Sequence, residues 1–316
     1  MCNAGLSSRN YSGITLRTTK PLRLVVSAFY RIGYKLHHKI FLRPQPKLHT
    51  PVFIVGSYLA GGAGKTPFTI WLAKYFLEQG KKVAILCHNA AWDEVSLLKT
   101  QLQNTEVIAT KNRYATAKEI QNKFDIIICD DGFEDTRFTN ATCFCLDWQE
   151  PPTSWKLLLP AGPFRSLKHD HNDAEIIHLN CGTVSSNRTP SADVFFAIES
   201  ITNYNSETPS SAPFAATVIC GLGSPQRFID DIRTFGTPRG ITIEKTIIRP
   251  DHDKKFPQVV QRELSHNKDI IISQKDACRL PQALLTHPKL HIAIQKIAVS
   301  NKILDIVRHI INAQTI

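Results

Sequence analysis

The chain has no acidic residue among its first 77 positions, and the first carboxylate is Glu78. Nine lysines and arginines lie between Arg9 and Lys47, so most of the formal net charge of +11 belongs to the first fifty residues. A basic surface of this kind indicates an anionic partner, and on charge alone nucleic acid and an anionic lipid surface both qualify. Because neither a recognised module nor an interleaved stacking surface accompanies the charge, we expect no nucleic-acid partner.

Several other patterns are also missing. The eight cysteines include no CxxC pair, and three of them lie in apolar, strand-like runs, so we expect buried, reduced thiols in a cytosolic protein rather than disulfides. The first twenty residues lack the apolar segment of a secretory signal. No apolar run is long enough to span a bilayer.

What the chain does contain is a phosphate-binding pattern in residues 51–67, PVFIVGSYLAGGAGKTP. Its apolar run predicts a strand buried on both faces, and Pro67 suits the first turn of a helix. Glycines let backbone N–H groups point at a phosphate, Lys65 can reach the β- and γ-phosphate oxygens, and Thr66 offers a hydroxyl to Mg²⁺. Leu59 stands where the strict pattern has glycine, and the alternative is a glycine-rich turn that binds nothing. We predict a nucleotide site formed by Gly61, Gly62, Ala63, Gly64, Lys65, Thr66 and Pro67.

A second acidic pattern follows another apolar strand. Residues 125–129, DIIIC, end in Asp130 and Asp131. Carboxylates at the carboxyl end of a parallel strand, beside a phosphate loop, suit Mg²⁺ or its water shell. We therefore predict a metal site of Thr66, Asp130 and Asp131, and the alternative is an Asp-Gly turn without a metal.

Alternating strands and helices indicate an α/β protein with a P-loop NTPase-like, doubly wound, mostly parallel sheet and a second, smaller α/β domain. The predicted segments are a loosely ordered N-terminus (1–20), a basic amphipathic helix (21–43), the nucleotide-binding domain (44–181), a linker rich in Ser, Thr, Asn and Pro (182–213), and the smaller domain (214–316). An alternative for the last helix is that it packs back on the first domain. The basic helix has the composition of an in-plane membrane helix, and an ordinary surface helix is the alternative.

The assembled motifs resemble those of the tetraacyldisaccharide 4′-kinases, which phosphorylate the lipid A precursor. The resemblance extends from about residue 21 to the C-terminus. It is carried by GGAGKTP (61–67), DDGF (130–133), LPAGPFR (159–165), GLGSPQRF (221–228), DH (251–252) and SQKDACRL (273–280). The SRGYG segment that the family carries after its second strand is missing here.

The resemblance implies two α/β/α domains, ATP with Mg²⁺, a lipid A disaccharide precursor as acceptor, and a peripheral location on the cytoplasmic face of the bacterial inner membrane. It implies that Asp93 accepts the proton of the acceptor hydroxyl and that His252 orients or polarises it. Arg165 is expected to bind the substrate phosphate or the nucleotide. Taken alone, Asp93 would be read as a helix N-cap and His252 as a solvated turn residue. The oligomeric state stays open, with a monomer as one option.

Two other functions remain open from the sequence. The missing SRGYG segment allows a membrane-docked relative that binds nucleotide but has lost kinase turnover. The second is a P-loop kinase or ligase with a different, soluble acceptor, against which the basic amphipathic N-terminus argues.

Overall fold

The computed structural model describes residues 20–148, 158–166, 175–184, 192–204, 206, 209–210 and 213–314. The predicted loosely ordered N-terminus lies outside the described residues, apart from its last position. The described helices are α1 (Lys20–Phe41), α2 (Lys65–Glu78), α3 (Trp92–Gln101), α4 (Arg113–Ile120), α5 (Pro225–Gly236), α6 (Phe256–Ser265), α7 (Gln274–Ala277), α8 (Gln282–Leu285) and α9 (Asn301–Gln314). The described strands are β1 (Val52–Gly56), β2 (Val83–His88), β3 (Glu106–Thr110), β4 (Ile126–Asp130), β5 (Thr142–Trp148), β6 (Glu175–Thr183), β7 (Val194–Thr202), β8 (Phe214–Cys220), β9 (Ile241–Ile248), β10 (Asp269–Ser273) and β11 (Leu290–Val299).

These strands form one 11-stranded sheet in the order β3-β2-β4-β1-β5-β6-β7-β11-β10-β8-β9. Every neighbouring pair is parallel except β7 and β11, which run antiparallel. The α/β class and the mostly parallel sheet predicted from the sequence are therefore confirmed. We call β1 to β6, with α2 to α4, the first half, and β8 to β11, with α5 to α8, the second half; the division into two domains stays a prediction.

The core of the first half lies on both faces of the sheet because its strands are apolar at successive positions. Phe53 of β1 faces α2 and α9, whereas Ile54 faces α4. All five residues of β1 and of β4 are buried, as expected for central parallel strands covered by helices on both sides. The last helix packs on this half through Ile303 and Val307.

The predicted linker over residues 182–213 is wrong where the structure has β7. This strand lies between β6 and β11 in the sheet, and Val194, Phe196 and Ile198 on it are buried. A continuous apolar run over residues 194–198 forms the strand here, although the flanking segments have the polar, Pro-containing composition that predicted a connection.

Helix α1 leaves an apolar surface outside the core. Eight of its large apolar side chains are 41–71% exposed, and they are Leu22, Leu24, Val25, Phe29, Ile32, Leu36, Ile40 and Phe41. The helix is tied to the first half through Ser27, whose Oγ accepts a hydrogen bond from the Leu158 N–H at 2.8 Å. Among the described residues, no helix combines the length and the apolar character needed to cross a membrane.

Candidate active site

The phosphate loop has the backbone shape that its glycines predict. Gly61, Gly62 and Gly64 have φ values of 80°, 65° and 82°, a region that residues with a Cβ rarely adopt. Gly64 caps the N-terminus of α2, so the helix begins at Lys65 with its first N–H groups facing the loop. A cavity of about 1140 Å³ lies over this turn. The predicted nucleotide residues all line it, namely Gly61, Gly62, Ala63, Gly64, Lys65, Thr66 and Pro67.

Asp130 is bound to the first turns of α2. Thr66 Oγ1 donates to Asp130 Oδ2 at 3.0 Å, and Thr69 Oγ1 donates to Asp130 Oδ1 at 2.9 Å. Because the Thr66 hydroxyl donates its hydrogen bond to the carboxylate, the oxygen lone pairs remain available to a cation in the cavity. Thr66 and Asp130 thus form an oxygen donor set of the kind that Mg²⁺ takes.

Asp131 is placed differently from Asp130, although the two are adjacent in sequence. Its φ of 55° is left-handed, and its two oxygens face cations: Lys65 Nζ lies 3.3 Å from Oδ1, and Arg165 Nη1 donates to Oδ2 at 2.8 Å. Burial would raise the pKa of Asp131, but the charges of Lys65 and Arg165 outweigh that effect and hold the pKa below its ordinary value. The structure therefore brings Arg165 to the phosphate loop, where it also lines the cavity.

The pKa of Asp130 is raised to about 7, chiefly by burial, with the charges of Glu94 and Asp131 adding to the effect and Lys65 opposing it. An unfolded aspartate has a pKa of about 3.9, so between about pH 4 and 7 the folded state holds a proton that the unfolded state has lost. The free energy of unfolding therefore falls as the pH rises through this window, by at most about 1.4 kcal/mol per pH unit.

We expect Asp130→Asn to remove this pH dependence, because the amide is neutral at every pH in the window. In urea unfolding with EDTA present, the variant should match the wild type near pH 4 and exceed it in stability at pH 8. A difference between the two proteins that stays constant from pH 4 to pH 8 would contradict this explanation.

Asp93 lies at the start of α3, in a buried ion-pair cluster that joins the two halves. Its side chain is fully buried, and Oδ2 accepts hydrogen bonds from Arg279 Nε at 3.0 Å and from Arg279 Nη2 at 2.6 Å. The same guanidinium donates to Asp251 Oδ1 at 2.6 Å and to Asp276 Oδ1 at 3.1 Å. Burial would lower the pKa of Arg279, but these carboxylates and their hydrogen bonds raise it, so the residue carries its charge permanently.

His252 presents an imidazole to the cavity from the second half. Its side chain is 44% exposed, and its Nδ1 lies 3.2 Å from Asp93 Oδ2. The residue has a φ of 59°, and its N–H donates to Asp251 Oδ1 at 3.0 Å. The structure therefore brings the predicted pair together although 159 residues separate its members in the sequence, and it gives the exposed position to the histidine.

Two further cations of the second half, Lys275 and Arg227, line the same cavity. Lys275 Nζ lies 2.9 Å from Glu94 Oε1 and 3.8 Å from Asp93 Oδ2. Burial would lower its pKa, but Glu94, Asp251 and Asp93 raise it.

Arg227 donates to the carbonyl of Gly62 in the phosphate loop and lies over the Trp148 ring at 3.7 Å. That indole donates from Nε1 to the carbonyl of Ala63 at 2.8 Å. The sequence analysis assigned no site role to Arg227 or Arg279. The only signal was their position in segments that resemble the family, because the bond of Arg227 to Gly62 and that of Arg279 to Asp93 join residues 165 and 186 positions apart.

The sequence itself matches one family over nearly its whole length. A profile of LpxK, tetraacyldisaccharide-1-P 4′-kinase, matches residues 19–89 and 87–313. The chain belongs to this family. The two matched segments meet at residues 87–89, where the sequence analysis found the SRGYG segment missing. In the structure, β2 ends at His88 and α3 begins at Trp92, so the shorter connection still delivers Asp93 to the first turn of a helix.

Several members of the family are similar to this chain. The tetraacyldisaccharide 4′-kinase of Chlamydia caviae is 26% identical over 299 residues, which cover 81% of this chain and 79% of that protein. The tetraacyldisaccharide 4′-kinase of Histophilus somni is 28% identical over 252 residues, with coverages of 72% and 74%. The crystal structure of LpxK from Aquifex aeolicus in complex with ATP aligns with a TM-score of 0.63 at 20% identity, and covers 92% of this chain and 97% of that one. This last likeness supports the fold.

Proposed function

We propose that the protein is an ATP-dependent kinase that transfers the γ-phosphoryl group to the 4′-hydroxyl of a tetraacylated glucosamine disaccharide 1-phosphate, in lipid A biosynthesis. The observation that carries the proposal is that one cavity joins a phosphate loop to an Asp–His pair. Lys65 and His252 both line it, and its volume of about 1140 Å³ exceeds the roughly 300–1,000 Å³ of an ordinary small-ligand pocket. Such a cavity has room for a nucleotide and a sugar together.

Phosphoryl transfer depends on positioning and on the stabilisation of charge. Lys65 and the amides at the start of α2 bind the β- and γ-phosphates, and Arg165 reaches the same region from its position on Asp131. When the phosphates enter, Lys65 exchanges its contact with Asp131 for phosphate oxygens. Thr66 and Asp130 would hold Mg²⁺, with Asp131 beside them. Bound there, the ion would neutralise charge on the phosphates.

The Asp93–His252 pair takes the proton of the acceptor hydroxyl. At the same time the hydroxyl oxygen bonds to the γ-phosphorus, and the bond between the γ-phosphorus and the bridging β-phosphate oxygen breaks. The sequence analysis gave the proton to Asp93. Because Asp93 is buried and already accepts two hydrogen bonds from Arg279, we assign the exposed His252 as the member that meets the hydroxyl. Asp93 then fixes the ring through Nδ1 and stabilises the imidazolium that forms.

The test is transfer of labelled γ-phosphate from ATP to the tetraacylated disaccharide 1-phosphate in mixed micelles. We expect transfer by the wild type and a loss of about 10²-fold in Lys65→Ala, the effect of removing one group that stabilises transition-state charge. Lys118→Ala, on the exposed surface of α4, is the matched control and should retain full activity. Binding of Mg·ATP without transfer would overturn the proposal, and would favour a relative without turnover or a different acceptor.

We further propose that α1 docks the enzyme on an anionic membrane surface, the cytoplasmic face of the inner membrane, where the acylated acceptor resides. Its exposed apolar side chains lie next to a row of cations at residues 23, 31, 35, 39 and 43, a composition that suits an in-plane helix. His37, Phe41 and Leu42 at its end also line the cavity. A sugar held at the membrane surface would therefore meet the cavity at this end.

We expect Phe29→Glu/Ile32→Glu to weaken binding to vesicles containing phosphatidylglycerol by at least about tenfold, because the two side chains are 71% and 64% exposed and charged residues are excluded from the acyl boundary. Sedimentation with vesicles at low and high salt measures the effect. Ile248→Glu is the matched control, since Ile248 is also exposed, at 53%, but lies on β9. Equal vesicle binding by the α1 variant and the wild type would contradict membrane docking through this face.

A further inference from the structure

Three side chains with different metal-binding groups meet on β5 and β6, and none of them has a role in the proposed reaction. Cys145 and Asp147 are two residues apart on β5, so they share a face of the sheet. His178 on β6 is the register partner of Cys145 in the parallel ladder. One ligand atom from each of the three lies within 4.8 Å of the others.

The spacing of these atoms is close to that of a tetrahedral zinc site. Zinc bonds of about 2.3 Å to sulfur and about 2.0 Å to oxygen place the two ligand atoms about 3.5 Å apart across a tetrahedral edge. The distance from Cys145 Sγ to Asp147 Oδ1 is 3.5 Å. His178 Nδ1 lies 2.6 Å from Asp147 Oδ2, so the imidazole has to move outward by less than about 1 Å to reach a corner of the tetrahedron.

Burial and charge also fit a zinc ion. The Cys145 side chain is fully buried, while His178 is 36% and Asp147 26% exposed, so an ion can enter from the histidine side. Cys145 is not in a disulfide. Binding releases its thiol proton to solvent, and the resulting thiolate and the carboxylate cancel the charge of the ion. The Tyr58 ring stacks on His178 at 6.1 Å and restricts the orientation of the imidazole.

We propose that Cys145, Asp147 and His178 bind a zinc ion, with His178 coordinating through Nδ1. A thiolate, an imidazole and a carboxylate together select zinc over magnesium or calcium, which take oxygen ligands. The site lies beside the phosphate loop, because Asp147 precedes Trp148, whose indole is bonded to the carbonyl of Ala63.

The experiment titrates untagged, metal-free protein with Co²⁺ and then displaces it with Zn²⁺. We expect one Co²⁺ per chain with a near-ultraviolet band from thiolate-to-cobalt charge transfer, and loss of that band when Zn²⁺ is added. The Asp93, Asp251 and His252 group, which also brings three ligand atoms together, contains no sulfur. It therefore cannot produce the band.

Cys145→Ser should abolish the band, whereas Cys143→Ser should retain it, because Cys143 is a buried thiol on the same strand and face but outside the group. His178→Gln is a second variant for the case that Cys145→Ser fails to fold. His178 is exposed, so its replacement should leave the fold intact. We expect it to weaken Co²⁺ binding by at least about tenfold, since the loss of even an outer-shell partner of a metal site costs about 10–100-fold. Absence of the band in the wild type, or equal binding by His178→Gln, would overturn the proposal.

Discussion

Replacing His252 by alanine should lower kcat for the transfer of phosphate to the lipid acceptor by about 10²–10⁴-fold, the range for loss of a positioned acid–base group. The KM for ATP should change little, because the proposed nucleotide contacts involve the phosphate loop and Arg165 rather than His252. His252 is the member of the pair that is exposed to the cavity, at 44%, while Asp93 is fully buried. The measurement is steady-state kinetics in mixed micelles.

Asp93→Asn and the double variant separate a working pair from two independent residues. If Asp93 acts through His252, each single variant and the double variant should lose about the same factor, because groups that act as a unit are not additive. His266→Ala, an exposed histidine at the end of α6, is the matched control. A kcat of His252→Ala within threefold of the wild type would contradict the assignment of His252 as the residue that meets the hydroxyl. A kcat/KM of Asp93→Asn within threefold of the wild type would show that Asp93 has no part in the mechanism.

Arg279→Leu should lower the free energy of unfolding by about 3–5 kcal/mol, the loss typical of breaking a buried ion pair from one side. The guanidinium is 2% exposed and lies within 3.1 Å of carboxylate oxygens of Asp93, Asp251 and Asp276. Leucine removes the cation that the three carboxylates share, together with the donor to the Gly221 carbonyl. Urea unfolding near pH 8 measures the effect.

Acidification should narrow the difference in the free energy of unfolding between Arg279→Leu and the wild type. Without the cation, burial raises the pKa of Asp276 further above its unfolded value, so the variant becomes less stable as the pH rises and recovers as it falls. In the wild type, burial already raises the pKa of Asp276 to about 6, even beside Arg279. Arg262→Leu is the control: its guanidinium is 63% exposed beside Glu263, and it should cost less than about 1 kcal/mol. A similar loss in both variants, or a difference that does not depend on pH, would contradict this account.

The phosphate loop could be predicted because its chemistry is local. One stretch of residues carries the strand, the turn with positive φ and the helix start, and each has its own sequence signal. Asp130 and Asp131 could be placed for the same reason, since parallel strands end at one edge of the sheet. The sequence did not reveal that the two carboxylates differ, because Asp130 is held by hydroxyls of α2 and Asp131 by Lys65 and Arg165.

The buried cluster around Arg279 could not be predicted from local patterns. Its hydrogen bond to Asp93 joins residues 186 positions apart, and nothing about an arginine after a short helix distinguishes a buried position from a solvated one. Strand β7 escaped prediction for a different reason. Its first five residues, 194–198, are all apolar, as in a buried strand. The Ser-, Thr- and Asn-rich segments on both sides outweigh this short run when composition is averaged over a longer stretch.

The antiparallel ladder of β7 with β11 has a mechanical consequence. Strand β7 is bonded to β6 through three register pairs, beginning with Cys181 and Val194, and to β11 along its whole length. The connection between the two halves is therefore a continuous hydrogen-bonded ladder, so a change in their relative orientation would have to bend or twist the sheet at β7. Phe196 on β7 lies against Gly64, and its ring packs at a tilt against Trp148 with the ring centroids 5.3 Å apart. The strand that joins the two halves thus also supports the phosphate loop from behind.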